Sequence, residues 1–240
     1  MFVIRYIIPC VLFLAWLGWF GYLSYSVALF QRTDFAGDAR YAAALQCTPE
    51  NVMQANTLND AWWQELHARV GEDGNLLPEI YTLAEADDTD AQIMLGFHLL
   101  STSAARNDQL EGIAWLQRAA EQNTLLAVSE LGYGYLHGEY GLERDLDRAE
   151  AFLVRAEAMG DPLASYNLAE LARRRDIFHY LDLNQSPQDT YIDALLTSAG
   201  HCYYGGLEAL ANEIDRGVSM PIDKDAANSL RRVVWNYRNL

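Results

Sequence analysis

The sequence predicts an all-α protein: a right-handed superhelical solenoid of antiparallel helix pairs, preceded by one transmembrane helix. Three observations carry this. First, an Ala or Gly followed four residues later by Leu and then by a small residue recurs at Ala91/Leu95/Gly96, Ala127/Leu131/Gly132, Ala164/Leu168/Ala169 and Gly206/Leu210/Ala211, at spacings of 36, 37 and 42 residues. A fixed period in that range marks stacked supersecondary units, each covering its neighbour's apolar face. Second, each period resolves into two helical stripes separated by capping and turn residues. Third, a long apolar run lies near the N-terminus.

That run is residues 6–30, 25 residues without a charge between Arg5 and Gln31-Arg32. As a helix it reaches roughly 37 Å, more than the roughly 30 Å hydrocarbon core of a bilayer. Trp16, Trp19, Tyr22 and Tyr25 stand as interfacial anchors. An uncleaved anchor over residues 1–32 is therefore expected. The alternative is a cleaved secretory signal, with residues 6–20 as its apolar core and Ser26-Val27-Ala28 as the cleavage site. Cys10 follows Pro9 and does not fit a lipid-attachment site. The short N-terminal tail reads as a signal-anchor, which places a single-pass chain in the inner (cytoplasmic) membrane with its large domain on the periplasmic side. Within the span, Ala15, Gly18, Gly21 and Ser24 are small residues beside which another helix could pack.

Residues 33–58 read as a juxtamembrane linker and a short helix, opened by Thr48-Pro49-Glu50 with proline at the first helical position. A helical-repeat domain follows over residues 59–240, with about four to five helix pairs. Its first pair is eroded: residues 59–70, bulked by Trp62 and Trp63, then Leu83-Ala84-Glu85-Ala86 at the offset before Ala91 that Ala119-Ala120 holds before Ala127. The first complete unit pairs residues 91–100 with 112–120. Ala91, Leu95 and Leu99 share a stripe, and Gly96 sits beside it where a neighbouring helix must come close.

The second unit repeats this with Ala127, Leu131, Gly132, Tyr135 and Gly138. Its second helix opens at Asp145 as N-cap, carries Ala149, Phe152, Leu153 and Ala156, and stops at Gly160-Asp161-Pro162. The third unit keeps Ala164 and Leu168 but no loop glycine. The fourth keeps mainly Leu210, Gly217-Val218 and the Asp225-Ala226 helix start.

The run Leu131-Gly132-Tyr133-Gly134-Tyr135-Leu136-His137-Gly138 and the stretch from Trp115 through Ala119-Ala120 to Asn123 resemble the Sel-one-like repeat (SLR), a relative of the tetratricopeptide repeat. Its units read Ala-x-x-x-Leu-Gly-x-x-Tyr-x-x-Gly, a loop, then an Ala-rich second helix. The first copy departs with Leu99 for Tyr and Thr102 for Gly. The resemblance covers about residues 80 to 240 and is specific for fold rather than function.

It implies that first helices line a concave face, with the residue two after the repeated Leu pointing into the groove. That selects Phe97, Tyr133, Glu170 and Asn212. Two before the Leu come Ser129, Tyr166 and Glu208, and toward the helix ends come His137, Arg173, Arg174 and Arg216. The alternative places Phe97 and Tyr133 in the core, on a helical stripe.

A further departure from the family is the segment 173–185, where Arg173, Arg174 and Arg175 are followed by Phe178, His179 and Tyr180 before a Ser186-Pro187-Gln188-Asp189 helix start. Arginine and aromatic side chains are enriched at interface hot spots, so the segment is a candidate partner contact. The alternative is an extended first helix whose arginines pair with local carboxylates.

Charge narrows the partners. From residue 34 onward the chain holds 15 basic and 33 acidic residues, a formal −18. Such a field repels phosphate backbones and anionic lipid headgroups, so nucleic acid is excluded as a partner and a cationic one stays open; the alternative is that the charge merely keeps a repeat protein soluble. His67, His98, His137, His179 and His201 show no metal-binding helical spacing, and neither a nucleophile elbow nor a phosphate loop is present. No catalytic residue, metal or cofactor is therefore expected. Cys47 and Cys202 lie near opposite ends of a solenoid whose units touch only their neighbours, so free thiols are expected; a bond would require the N-terminal segment to fold back.

These readings imply a membrane-anchored protein–protein interaction scaffold that braces a partner in an integral-membrane or membrane-associated complex. The alternative is an accessory subunit of a membrane enzyme or secretion assembly. A hydrolase of cell-wall or small-molecule substrates is remote, because the related repeats proposed to do this carry a cysteine pair in each unit and these do not.

Overall fold

The computed structural model describes residues 37–68, 78–176, 187–217 and 220–240. Packing divides the chain into a unit Met1–Asp38 and a unit Ala39–Leu240. The second holds the eleven helices found among the described residues: α1 (Ala39–Leu45), α2 (Pro49–Ala68), α3 (Pro78–Glu85), α4 (Thr89–Thr102), α5 (Arg106–Glu121), α6 (Leu125–His137), α7 (Leu146–Ala158), α8 (Pro162–Asp176), α9 (Pro187–Gly200), α10 (Tyr204–Arg216) and α11 (Lys224–Tyr237). Among the described residues no helix is long and apolar enough to cross a membrane. The segment 6–30, with Ala15, Gly18, Gly21 and Ser24, lies outside them.

Local chemistry sets the helix starts. Asp88, Asp145 and Asp223 are N-caps whose carboxylates accept backbone N–H bonds from Ala91, from Asp147 and Arg148, and from Ala226. Pro49, Pro78, Pro162 and Pro187 open their helices at the position where a missing N–H costs nothing. At α2 the Thr48 hydroxyl accepts from Asn51 N at 3.3 Å, and the Asn51 side chain accepts from Thr48 N at 3.2 Å, a reciprocal cap.

The turns between units use one left-handed residue each: Asp87 (φ 68°), Asn123 (φ 59°), Gly160 (φ 90°) and Cys202 (φ 60°). They repeat the 36, 37 and 42 spacing of the Leu positions.

Helices α4, α6, α8 and α10 are first helices, and α5, α7, α9 and α11 are their partners. Leu95, Leu131 and Leu210 are fully buried, as are the partner residues Leu116 and Leu153. The small residue after the Leu is a contact requirement. A Cβ on Gly132 would lie 2.7 Å from Leu153 Cδ2, and one on Gly96 would lie 2.9 Å from Leu116 Cγ. Burying each such Leu contributes about 2 kcal/mol relative to leaving it in water.

The N-terminal region departs from expectation. The two short helices expected over residues 48–70 form one helix, α2, because nothing between Thr48 and Ala68 interrupts it. It packs against α11, while α1 packs against α9 and α11, so the chain returns to the C-terminal end before α3 starts the ladder by packing on α4. Arg40 pairs with Asp193 at 2.9 Å and donates to Thr197 Oγ1 at 3.3 Å. Cys47 and Cys202 are joined in a disulfide, their Cα atoms 5.6 Å apart. The expectation of free thiols is corrected: it rested on neighbour-only contacts, and α1 supplies the contact that the repeat units cannot. Closing a loop of 155 residues stabilises the fold by about 5 kcal/mol in the chain-entropy account.

Candidate functional site: the face of the first helices

Residues four apart on a helix share a face, so three stripes stand on successive first helices: Ser129, Tyr133 and His137 on α6; Tyr166, Glu170 and Arg174 on α8; Tyr204, Glu208 and Asn212 on α10. They do not behave alike. Phe97 of α4 and Ser129 of α6 are only 2% and 5% exposed, and the Ser129 hydroxyl is bonded to Asp161. Both were candidates for the groove. Phe97 instead packs edge-on to Tyr140 with ring centroids 6.2 Å apart, because the loop after α6 folds over it.

Tyr133 remains partly accessible, its ring 4.4 Å from the His137 ring and 6.3 Å from Tyr140. The Tyr140 hydroxyl donates to Glu130 Oε2 at 2.7 Å. Burial pushes the Glu130 carboxyl up, the bond from Tyr140 opposes this and Asp161 adds to it.

Between α6 and α8 lies a polar knot. Arg174 Nη1 donates to the Leu136 carbonyl at 2.6 Å, while Nη2 reaches Glu170 Oε1 at 2.6 Å and His137 Nδ1 at 3.1 Å. Receiving that donor, Nδ1 must carry the lone pair, which leaves the neutral ring's proton on Nε2. Nε2 is buried without a hydrogen-bond partner and stands 3.7 Å from Glu170 Oε2. Burial holds the His137 pKa below its ordinary value; Arg174 adds to this, while Glu170 and Glu139 oppose it.

Arg175 pairs with Asp147 at 2.6 Å and Glu150 at 2.8 Å. Arg174 and Arg175 thus belong to an extended first helix with local partners, and Arg173 is exposed. Phe178, His179 and Tyr180 lie outside the described residues.

The C-terminal stripes open into a shallow cleft of about 260 Å³, lined by Tyr166, Tyr203, Tyr204, Gly205, Glu208, Ala209 and Asn212. Tyr203 is central, 5.6 Å from Tyr166 and 5.0 Å from Tyr204 between ring centroids. Gly205 makes room for it, since a Cβ there would lie 2.7 Å from Tyr203 Cε1. Burial raises the Tyr166 and Tyr203 pKa values, so both phenols stay protonated.

On the far side of Glu208 stands the chain's own Arg238, 2.9 Å from its carboxylate and 5.6 Å from the Tyr204 ring centroid. Asn212 accepts from Arg231 at 3.0 Å. Tyr166, Glu208 and Asn212 were legible from the repeat register; Tyr203, Tyr204 and Arg238 were not. The available signal was the Tyr203-Tyr204 pair immediately before Gly205-Gly206, with Tyr204 one turn ahead of Glu208. Among the described residues no group of His, Cys, Asp and Glu could hold a metal ion.

Residues 89–124 and 126–161 match the Sel1 repeat family. Among solved structures, a protective antigen of uropathogenic Escherichia coli strains displaying an SLR fold is similar at 19% identity and TM-score 0.53, over 65% of this chain and 32% of that one. A Sel1 repeat protein from Oxalobacter formigenes is similar at 22% identity and TM-score 0.53, over 65% and 62%. This chain therefore spans about a third of the first relative and under two thirds of the second. No curated protein matches the chain. The repeats and the shared architecture establish a Sel1-like solenoid over the matched region.

Proposed function

We propose that this protein is an extracytoplasmic interaction scaffold, held in a membrane by residues 6–30, whose first-helix face receives a segment of a partner in a membrane-associated complex. Sel1 repeat proteins are generally protein–protein interaction scaffolds. The observation that carries the reading is the tyrosine cleft, where Tyr166, Glu208 and Asn212 face open space at positions the repeat assigns to the groove. Tyrosine supplies large contact area at low entropic cost, with a hydroxyl for orientation. The Cys47–Cys202 disulfide supports an oxidising compartment, and therefore a domain outside the cytoplasm.

The test is cross-linking followed by affinity purification of the full chain from detergent-solubilised membranes. A reproducible protein partner, cross-linked through photoreactive groups placed at Tyr166 or Asn212, is expected. Recovery of the monomer alone would sink the proposal.

A further inference from the structure

The cleft's chemistry suggests what it holds, and this step rests on the scaffold reading above. Its lining combines three tyrosine rings with one carboxylate, Glu208, and one amide, Asn212. Ring faces attract cations and a planar guanidinium stacks on them, while a carboxylate takes the same group through directed N–H donors. The molecule already contains one such complex. Arg238 lies over the Tyr204 ring at 5.6 Å with its Nη2 2.9 Å from Glu208 Oε2, an arginine held by one aromatic and one acidic wall. Yet the Arg238 and Glu208 side chains stay 51% and 45% exposed, so the contact is a surface one that a competitor can displace at little cost. The rest of the cleft, from Tyr166 across Tyr203 to Asn212, continues past that pair. A domain with a formal −18 from residue 34 onward also attracts a basic segment.

We infer that the cleft between α8 and α10 is a subsite for an arginine side chain of an extended partner segment, and that Arg238, which holds Glu208 from outside the cleft's lining, gives up that carboxylate when the partner binds. The partner's guanidinium takes the Tyr204 and Glu208 walls, and its backbone runs over Tyr203 and Tyr166 toward Asn212. The Tyr166 phenol, kept protonated by burial, serves as a donor to that backbone. Arginine is favoured over lysine because a flat, delocalised cation matches a flat ring beside a carboxylate.

The test titrates the detergent-solubilised full chain with a fluorescein-labelled Gly-Ser-Arg-Ser-Gly peptide and with its citrulline counterpart, which keeps the shape and lacks the charge. The arginine peptide is expected to bind at least tenfold tighter. Glu208→Gln should weaken it at least fivefold, whereas Glu143→Gln, which removes the same charge from an exposed loop, should change it less than twofold. Arg238→Ala should strengthen it about threefold or more by freeing the walls. Equal binding of the two peptides, equal loss in both glutamine variants, or no gain in Arg238→Ala overturns the subsite. Should cross-linked partner capture persist undiminished in Glu208→Gln, the subsite falls and the scaffold reading stands. Should the wild-type chain capture nothing, the scaffold reading falls, and the peptide titration still decides the subsite.

Discussion

Helices α4–α7 keep the repeat pattern almost residue for residue and turn Phe97 and Ser129 inward, whereas α8–α11 keep little of it and present Tyr166, Glu208 and Asn212 in an open cleft. Matching letters thus report packing: Leu131, Gly132 and Leu153 recur because two helices must meet at close range. Where the letters depart, the packing of the repeated Leu is kept in the fourth unit, since Leu210 is as fully buried as Leu131, while Leu168 of the third is partly buried. The freed surface carries tyrosines instead. Fidelity to the repeat and an open, tyrosine-lined surface have separated along the chain.

Four experiments would break or sharpen this contrast. The largest effect is expected from removing the covalent brace: the double variant Cys47→Ser, Cys202→Ser should lose about 5 kcal/mol in chemical denaturation. Hydrogen exchange should then accelerate first in α1, α9 and α11, because those helices share the bridged interface. Uniform acceleration through α4–α7 would show that the halves are not separable. Next, Leu131→Ala and Leu210→Ala should each cost about 3 kcal/mol, since both side chains are fully buried. A loss under about 1 kcal/mol at Leu210 would mean that the degenerate half does not depend on the same packing.

At the border between the halves, Arg174→Ala should cost about 1 to 2 kcal/mol by leaving Glu170, the Leu136 carbonyl and His137 Nδ1 without their donor, whereas Arg173→Ala should fall within about 0.5 kcal/mol. Thermal melts of the two variants decide whether the arginines differ as their partners do.

The smallest effect is pH dependence. Burial lowers the His98 and His137 pKa values, with Arg174 adding to the effect at His137. Unfolded imidazoles take up protons near pH 6.5 while the folded ones resist, so stability falls as pH drops through 6.5 and the loss levels off below the folded pKa values. His137→Asn should flatten the melting temperature between pH 7 and pH 5.5; an unchanged slope would remove His137 from the account.

The ladder from Thr89 to Gly160 was readable because caps, periodicity and small-residue positions agreed there. The fourth unit was readable only through Leu210, its flanking turn and the Asp225-Ala226 helix start, which the structure opens slightly earlier with Asp223 as N-cap, since Tyr203 and Tyr204 occupy positions where the repeat asks for nothing in particular. The inter-unit turns show why local signals run out. Gly160 declares a left-handed residue, but Asp87, Asn123 and Cys202 adopt the same conformation, and only the register of the neighbouring units reveals it. The return of α1 and α2 to α9 and α11 was hidden for a different reason: it is a contact across the whole ladder, with no sequence period to announce it. A count of two cysteines from residue 34 onward was compatible with either redox state.

The bridge from Cys47 to Cys202 also makes most of the ladder a covalent ring. A protease that cuts once between these residues opens the ring but frees no fragment, so a nicked molecule would migrate intact on a non-reducing gel and fall into two pieces only under reductant. Helices α10 and α11 lie beyond Cys202, outside the ring. The tyrosine cleft, built largely on α10, thus lies mostly on a stretch of chain that a single cut after Cys202 would leave without a covalent tie to the ring.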